Sequence, residues 1–164
     1  MISFKLFVAT LTLILATSDD STNKTKSTPP SKYSMTYPVK IINVSINRSA
    51  DDVYHFASNP ENFPKWVDFV KSVTRQDDFW IGHTDAGDLK IRFTPLNNLG
   101  VIDHEVTLPN GETVNNPMRV VPNNEGCEFI FTLFRMPGRT EKEFNEDANA
   151  VSADLQTLKM LIEH

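Results

Sequence analysis

From residue 38 onward the chain carries clear periodic patterns. Ile42, Val44 and Ile46 alternate with Asn43, Ser45 and Asn47, the period-two signature of a strand with one apolar face. Ser49 then stands as a helix N-cap, with Asp52 three residues on in a capping-box spacing. Val53, Phe56 and Ala57 give that short helix its buried face. Asn59-Pro60 restarts the chain, Asn59 as N-cap and Pro60 at the first helical position. This second short helix carries Phe63 and Trp66. Six strands are expected next, near 68–76, 79–84, 88–94, 100–108, 113–121 and 127–135. Asp85-Ala86-Gly87, Pro109-Asn110-Gly111 and Asn123-Asn124-Glu125-Gly126 supply the turn chemistry between them. The last element reads as a long helix opened by a second capping box, Thr140 and Glu143. Phe144, Ala148, Val151, Leu155, Leu158 and Ile162 form one apolar stripe along it. Glu141, Lys142, Asp147, Asp154 and Lys159 are assigned outside the stripe. An antiparallel sheet must cover its apolar face. The pattern therefore predicts an α+β fold: a curved antiparallel sheet of about seven strands wrapped around a long C-terminal helix, with two short helices after the first strand.

The preceding residues differ in kind. Lys5 is followed by an uncharged apolar run at 6–16 and then by Thr17 and Ser18. The run is shorter than the ~20 residues a spanning helix needs, so 1–18 reads as a signal peptide. Residues 19–37 are dominated by Ser, Thr, Lys, Asn and Pro, a composition that cannot offset its ordering entropy, and read as a disordered linker. Residues 38–164 are the single domain. The expected location is exported, periplasmic or secreted. A misplaced start codon would make the product cytoplasmic instead.

Composition narrows the functions. Across 164 residues the net charge is −5, with Lys and Arg scattered, which speaks against a nucleic-acid partner or an anionic membrane surface. Cys127 is the one cysteine, so no internal disulfide or Cys-based zinc site can form. No His, Asp and Glu spacing suggests a metal, and no phosphate loop or nucleophile elbow is present. No cofactor is expected.

Three stretches carry a family likeness: VSINRSADDVYHFASNPENFPKW at 44–66, GVIDHEVTLPNGETVNNPMRVVPN at 100–123 and FIFTLFRMPGRTEKEFNEDANAVSADLQTLKMLIEH at 129–164. With the element order, they resemble the SRPBCC superfamily. That group has the helix-grip fold and includes START-like lipid-transfer domains, Bet v 1-like allergens and polyketide cyclases. The likeness is to the polyketide cyclase/dehydrase-like branch. The resemblance implies a sheet gripping a C-terminal helix, with an apolar ligand in the groove. It does not imply catalysis.

His104 is the first chemical candidate. In a strand its neighbours Asp103 and Glu105 face the other way, and His104 shares its face with Ile102 and Val106. An inward His can hydrogen-bond a ligand or act as a general base. Asp103 and Glu105 are expected on a solvated outer face. Arg119 and Arg135 can meet a ligand anion or pair with carboxylates at the start of the last helix. Phe69, Trp80, Ile91, Phe93, Phe129 and Phe131 are the apolar candidates for lining a cavity. Trp66 is assigned to anchoring the small helices, and Cys127 to a small half-buried thiol. The leading reading is carriage of a small hydrophobic or amphipathic molecule. The alternatives are a cyclase, dehydratase or hydrolase with His104 as base, and an interaction domain with a filled groove.

Overall fold

The structure is a computed structural model that describes residues 36–164. The expected signal peptide, and the linker up to residue 35, lie outside the described residues. Strand β1 (Val39–Ile46) leads into helix α1 (Ala50–Ala57), a 3-10 turn (Pro60–Asn62) and the single-turn helix α2 (Phe63–Trp66). Seven strands follow: β2 (Ser72–Gln76), β3 (Phe79–Thr84), β4 (Gly87–Phe93), β5 (His104–Thr107), β6 (Thr113–Asn116), β7 (Met118–Asn123) and β8 (Gly126–Phe134). Helix α3 (Glu141–Glu163) ends the chain.

The caps act where their residue types predict. Ser49 accepts from the Asp52 amide and Asn59 from the Glu61 amide. At α3, Thr140 accepts from the Glu143 amide while the Glu143 carboxylate takes the Thr140 amide, a complete capping box. The turns carry positive φ at Gly87, Gly111 and Asn124, residues for which the left-handed region costs little.

All strand pairings are antiparallel. Two sets, β1-β8-β7 and β2-β3-β4-β5-β6, are joined through one hairpin. His104 faces Asn116 and Val101 faces Arg119 in the same unslipped register. The Ile102 amide reaches the Met118 carbonyl at 3.0 Å, and the Val120 amide reaches that of Gly100 at 2.9 Å. The result is one sheet, curved round from β1 to β2. Two expected strands are divided here. Pro117 has no N–H to give to the ladder, so 113–121 becomes β6 and β7. Opposite it, Asp103 leaves the regular pairing, so 100–108 is regular only from His104. The Asp103 carboxylate accepts the Met118 amide at 2.9 Å, and the Pro117 carbonyl accepts from Thr132 at 3.0 Å. At the other end, 68–76 is regular only from Ser72, because the Val70 amide turns back to the Val67 carbonyl.

The main core joins β1, β7 and β8 to α1, α2 and α3, with Ile46, Val53, Phe129, Leu155 and Leu158 at its centre. Leu89, Ile91, Val106 and Leu108 form a second cluster along β4 and β5. Phe69 and Phe93 pack against both. The α3 stripe faces the sheet as its periodicity predicts, with one correction. Asp147 is only 7% exposed, and Asp154 turns inward to line a cavity. Each follows an apolar stripe residue by three positions, roughly 60° round the helix from it, which puts both on the flank of the stripe.

Candidate functional site

A cavity of about 60 Å³ lies between the sheet, α2 and α3. Pro64 sits within the first turn of α2, where its missing N–H costs nothing. This turn presents Phe63 and Trp66 inward. Their rings meet edge to face at 5.0 Å, and Trp66 meets Phe129 at 6.1 Å. Phe69 closes one side, Met118 and Phe131 form part of the floor, and Val151 and Leu155 of α3 form the roof. The volume holds a few water-sized groups and is small beside the ~300–1,000 Å³ of typical ligand sites.

Besides Asn116, three residues that carry polar groups line this apolar chamber. Trp66 is 4% exposed, and its Nε1–H has no hydrogen-bond partner. Buried indole N–H groups usually find one.

His104 is the second. Its ring stacks on Phe93 at 5.0 Å and meets the edge of Phe63 at 5.5 Å. Its Nδ1 lies 3.3 Å from the Ile102 carbonyl. A carbonyl only accepts, so Nδ1 carries the proton and Nε2 is left as an acceptor. Burial pushes the imidazole down to about 4, against the opposing pull of the Ile102 carbonyl and the Asp103 charge. The ring is therefore neutral at neutral pH.

Asp154 is the third. Burial pushes its carboxyl up to about 7; the Asp68 amide at 3.2 Å opposes this and the Asp68 charge adds to it. The lining thus includes a neutral imidazole and a carboxyl that changes charge near neutrality, beside a buried indole whose N–H has no partner.

Of the sequence candidates, the fold brings Phe69, His104 and Phe131 to this chamber, with Phe93 and Phe129 directly behind its walls. Trp80 and Ile91 belong to the second cluster instead. Arg119 is corrected. Its register opposite Val101 and Ile130 puts it on the outer face, where the guanidinium pairs with Asp103 and bonds the Met118 carbonyl. Arg135 pairs with Glu141 at the start of α3. It borders a separate cavity of about 30 Å³ near Val114, Leu133 and Phe144, not the chamber between α2 and α3. Asp103 and Glu105 lie on the face opposite the buried His104 and Val106. Cys127 is fully buried, and its thiol is pushed up by burial and by the Glu128 charge. Among the described residues no cluster of His, Cys, Asp or Glu could hold a metal ion, and no helix is long and apolar enough to cross a membrane. Trp66 and Asp154 line the chamber, whereas the pattern reading assigned Trp66 to anchoring the small helices and Asp154 to a position outside the stripe. The one available signal was the seven-residue step from Asp147 to Asp154, which keeps both on one side of α3.

No protein-family model matches the chain, and no curated protein matches it in sequence. Solved structures do match. The Aha1 protein of Colwellia psychrerythraea, solved as a dimer in solution, is 12% identical, with 77% of this chain and 96% of that chain covered and a TM-score of 0.63. Ara h 8.0201 is 8% identical, with 76% and 97% covered and a TM-score of 0.55. The chain has the Bet v 1-like helix-grip fold. DynU16, a protein of the dynemicin biosynthetic locus, shares this helix-grip architecture at 13% identity and a TM-score of 0.61, with 76% of this chain and 47% of that chain covered. At these identities the likeness is one of fold, and function has to be argued from the site. The cavity lies where the helix-grip sheet and its C-terminal helix face each other.

Proposed function

We propose that this protein binds a small hydrophobic or amphipathic molecule between its sheet and α3. The carrying observation is the chamber itself: aromatic and aliphatic walls, with Trp66, His104, Asn116 and Asp154 among the lining residues. An apolar chamber with a few convergent polar groups is the usual form of a small-molecule site. At about 60 Å³ it admits only a small group.

The enzyme reading has less support. A general base works best with a pKa near the operating pH, and His104 is held at about 4. The finer assignment to polyketide cyclase-like members rests on the three sequence stretches and belongs to the same proposal, as does export.

The test is native mass spectrometry of the full chain after mild purification, alongside titration with the neutral probe N-phenylnaphthylamine. A co-purifying molecule lost on denaturation, or micromolar binding of the probe that Trp66→Ala abolishes, is the expected result. A clean apo mass with no probe binding overturns the proposal.

A further inference from the structure

The residues around the chamber are unbalanced in charge. One carboxyl, that of the half-buried Asp154, lines it, and no lysine or arginine does. The other titratable lining group, His104, is neutral at neutral pH. The lining residues of α2, β7 and β8 are Phe63, Trp66, Met118 and Phe131, none of which titrates. The charge of Asp68, beside Asp154, has the same sign. Nothing in the lining therefore balances an ionised Asp154.

The hydrogen-bonding groups point the same way. His104 is 8% exposed, and its side chain shares the inner face with Val106. Its Nδ1 is engaged by the Ile102 carbonyl, and Nε2 has no partner. Trp66 Nε1 is the one fully enclosed side-chain nitrogen or oxygen without a partner among the described residues. His104 Nε2 therefore still reaches open space, and on the inner face that space is the chamber. It can only accept while the ring is neutral. Asp154 Oδ1 takes the Asp68 amide, and its second oxygen is a further acceptor. Asn116 offers either its carbonyl or its amide, so it suits a donor as well as an acceptor. A carboxylate would meet a like charge at Asp154 and an acceptor at His104. A hydroxyl group would satisfy His104 but leave the carboxylate without a counter-charge.

We propose, building on the ligand-binding reading above, that the chamber takes the head of a small primary alkylammonium ion, whose N–H groups donate to His104 Nε2 and the Asn116 carbonyl and whose charge is balanced by the Asp154 carboxylate. An ammonium has three donors and no acceptor, which matches this set. The apolar walls take the alkyl part. Binding is linked to a proton. With the chamber empty, Asp154 titrates at about 7, and a cation beside it keeps it ionised at lower pH. Below 7 the ion has to expel that proton to water, so affinity falls as pH falls.

The test titrates propylamine, propan-1-ol and propionate into the full chain at pH 5.5 and pH 8. Binding is followed by the backbone amide resonances of Met118 and Leu155. Propylamine stays protonated and His104 stays neutral at both values. Propylamine affinity should rise about 30-fold from pH 5.5 to pH 8, as the ionised share of Asp154 does. Propan-1-ol should show no such rise. Asp154→Asn should remove the rise for propylamine and leave propan-1-ol binding in place; if that variant does not fold, the wild-type pH series decides. If propan-1-ol or propionate binds at pH 8 as tightly as propylamine, or propylamine affinity does not rise with pH, the ammonium inference is overturned and the ligand-binding reading stands. If no probe moves a chamber resonance, the ammonium inference falls, and a clean apo mass in native mass spectrometry then takes the ligand-binding reading with it.

Discussion

His104 and Asp154 share a chamber and titrate in opposite senses. His104 is held at about 4 in the folded protein against about 6.5 unfolded. Between those values the unfolded chain binds the extra proton. The stabilisation from a neutral, buried His104 is therefore fully present above about 6.5 and is lost as pH falls toward 4. Asp154 is held at about 7 against about 3.9 unfolded. Between those values the folded chain binds the extra proton, so its contribution is fully present below about 4 and is lost as pH rises toward 7. Across the shared window the two slopes oppose each other, each at most about 1.4 kcal/mol per pH unit. Wild-type stability should change little between pH 4.5 and 6.5 on their account. Asp154→Asn should make stability rise with pH there, and His104→Gln should make it fall. Denaturant melts at several pH values check both slopes, and equal profiles for the two variants would contradict the assignment.

Gly100 shows a different kind of residue-level constraint. Its φ is +68°, and a Cβ there would stand 2.1 Å from the Val120 carbonyl oxygen, across the hairpin that joins the two halves of the sheet. Gly100→Ala should cost roughly 2–4 kcal/mol, read as a fall in the denaturant midpoint.

At the scale of elements, α3 is the piece everything else grips. Its start is set by the reciprocal bonds of Thr140 and Glu143. The Glu143 carboxyl is held below its usual range first by the Thr140 amide and then by its hydroxyl. Thr140→Ala should cost about 1 kcal/mol, a fall in Tm of roughly 4 °C. Thr140→Ser should restore most of it. The capping residues, the stripe and the turn glycines were all legible in the sequence because each acts through neighbours a few positions away. The division at Pro117 was less so. A missing N–H weakens a strand wherever it falls, but only the crossing from β5 to β8 shows that the ladder continues on its far side.

At the scale of the whole molecule, the described residues 36–164 contain an eight-stranded sheet, its covering helix and two hydrophobic clusters. A chain beginning at Thr36 is expected to melt within about 2 °C of the full chain, since the described core starts at β1 and a change below about 0.5 kcal/mol falls in that range. Scanning calorimetry of both chains decides this. A large loss on truncation would show that residues 1–35 add to the stability of the fold.

The sequence by itself determined the α+β class, the order of elements, the inward face of β5 that carries His104, and the apolar stripe of α3. These follow from periodicity and capping, which are local. Only the tertiary structure decided which residues share the chamber. Arg119 went outward because its register opposite Val101 and Ile130 assigns its face, and a register is a relation between segments. Arg135 turned to Glu141 once the start of α3 came beside the end of β8. Trp66 and Asp154 became site residues because α2 and α3 meet over Met118 and Phe131, and no spacing along one element encodes how closely two others approach.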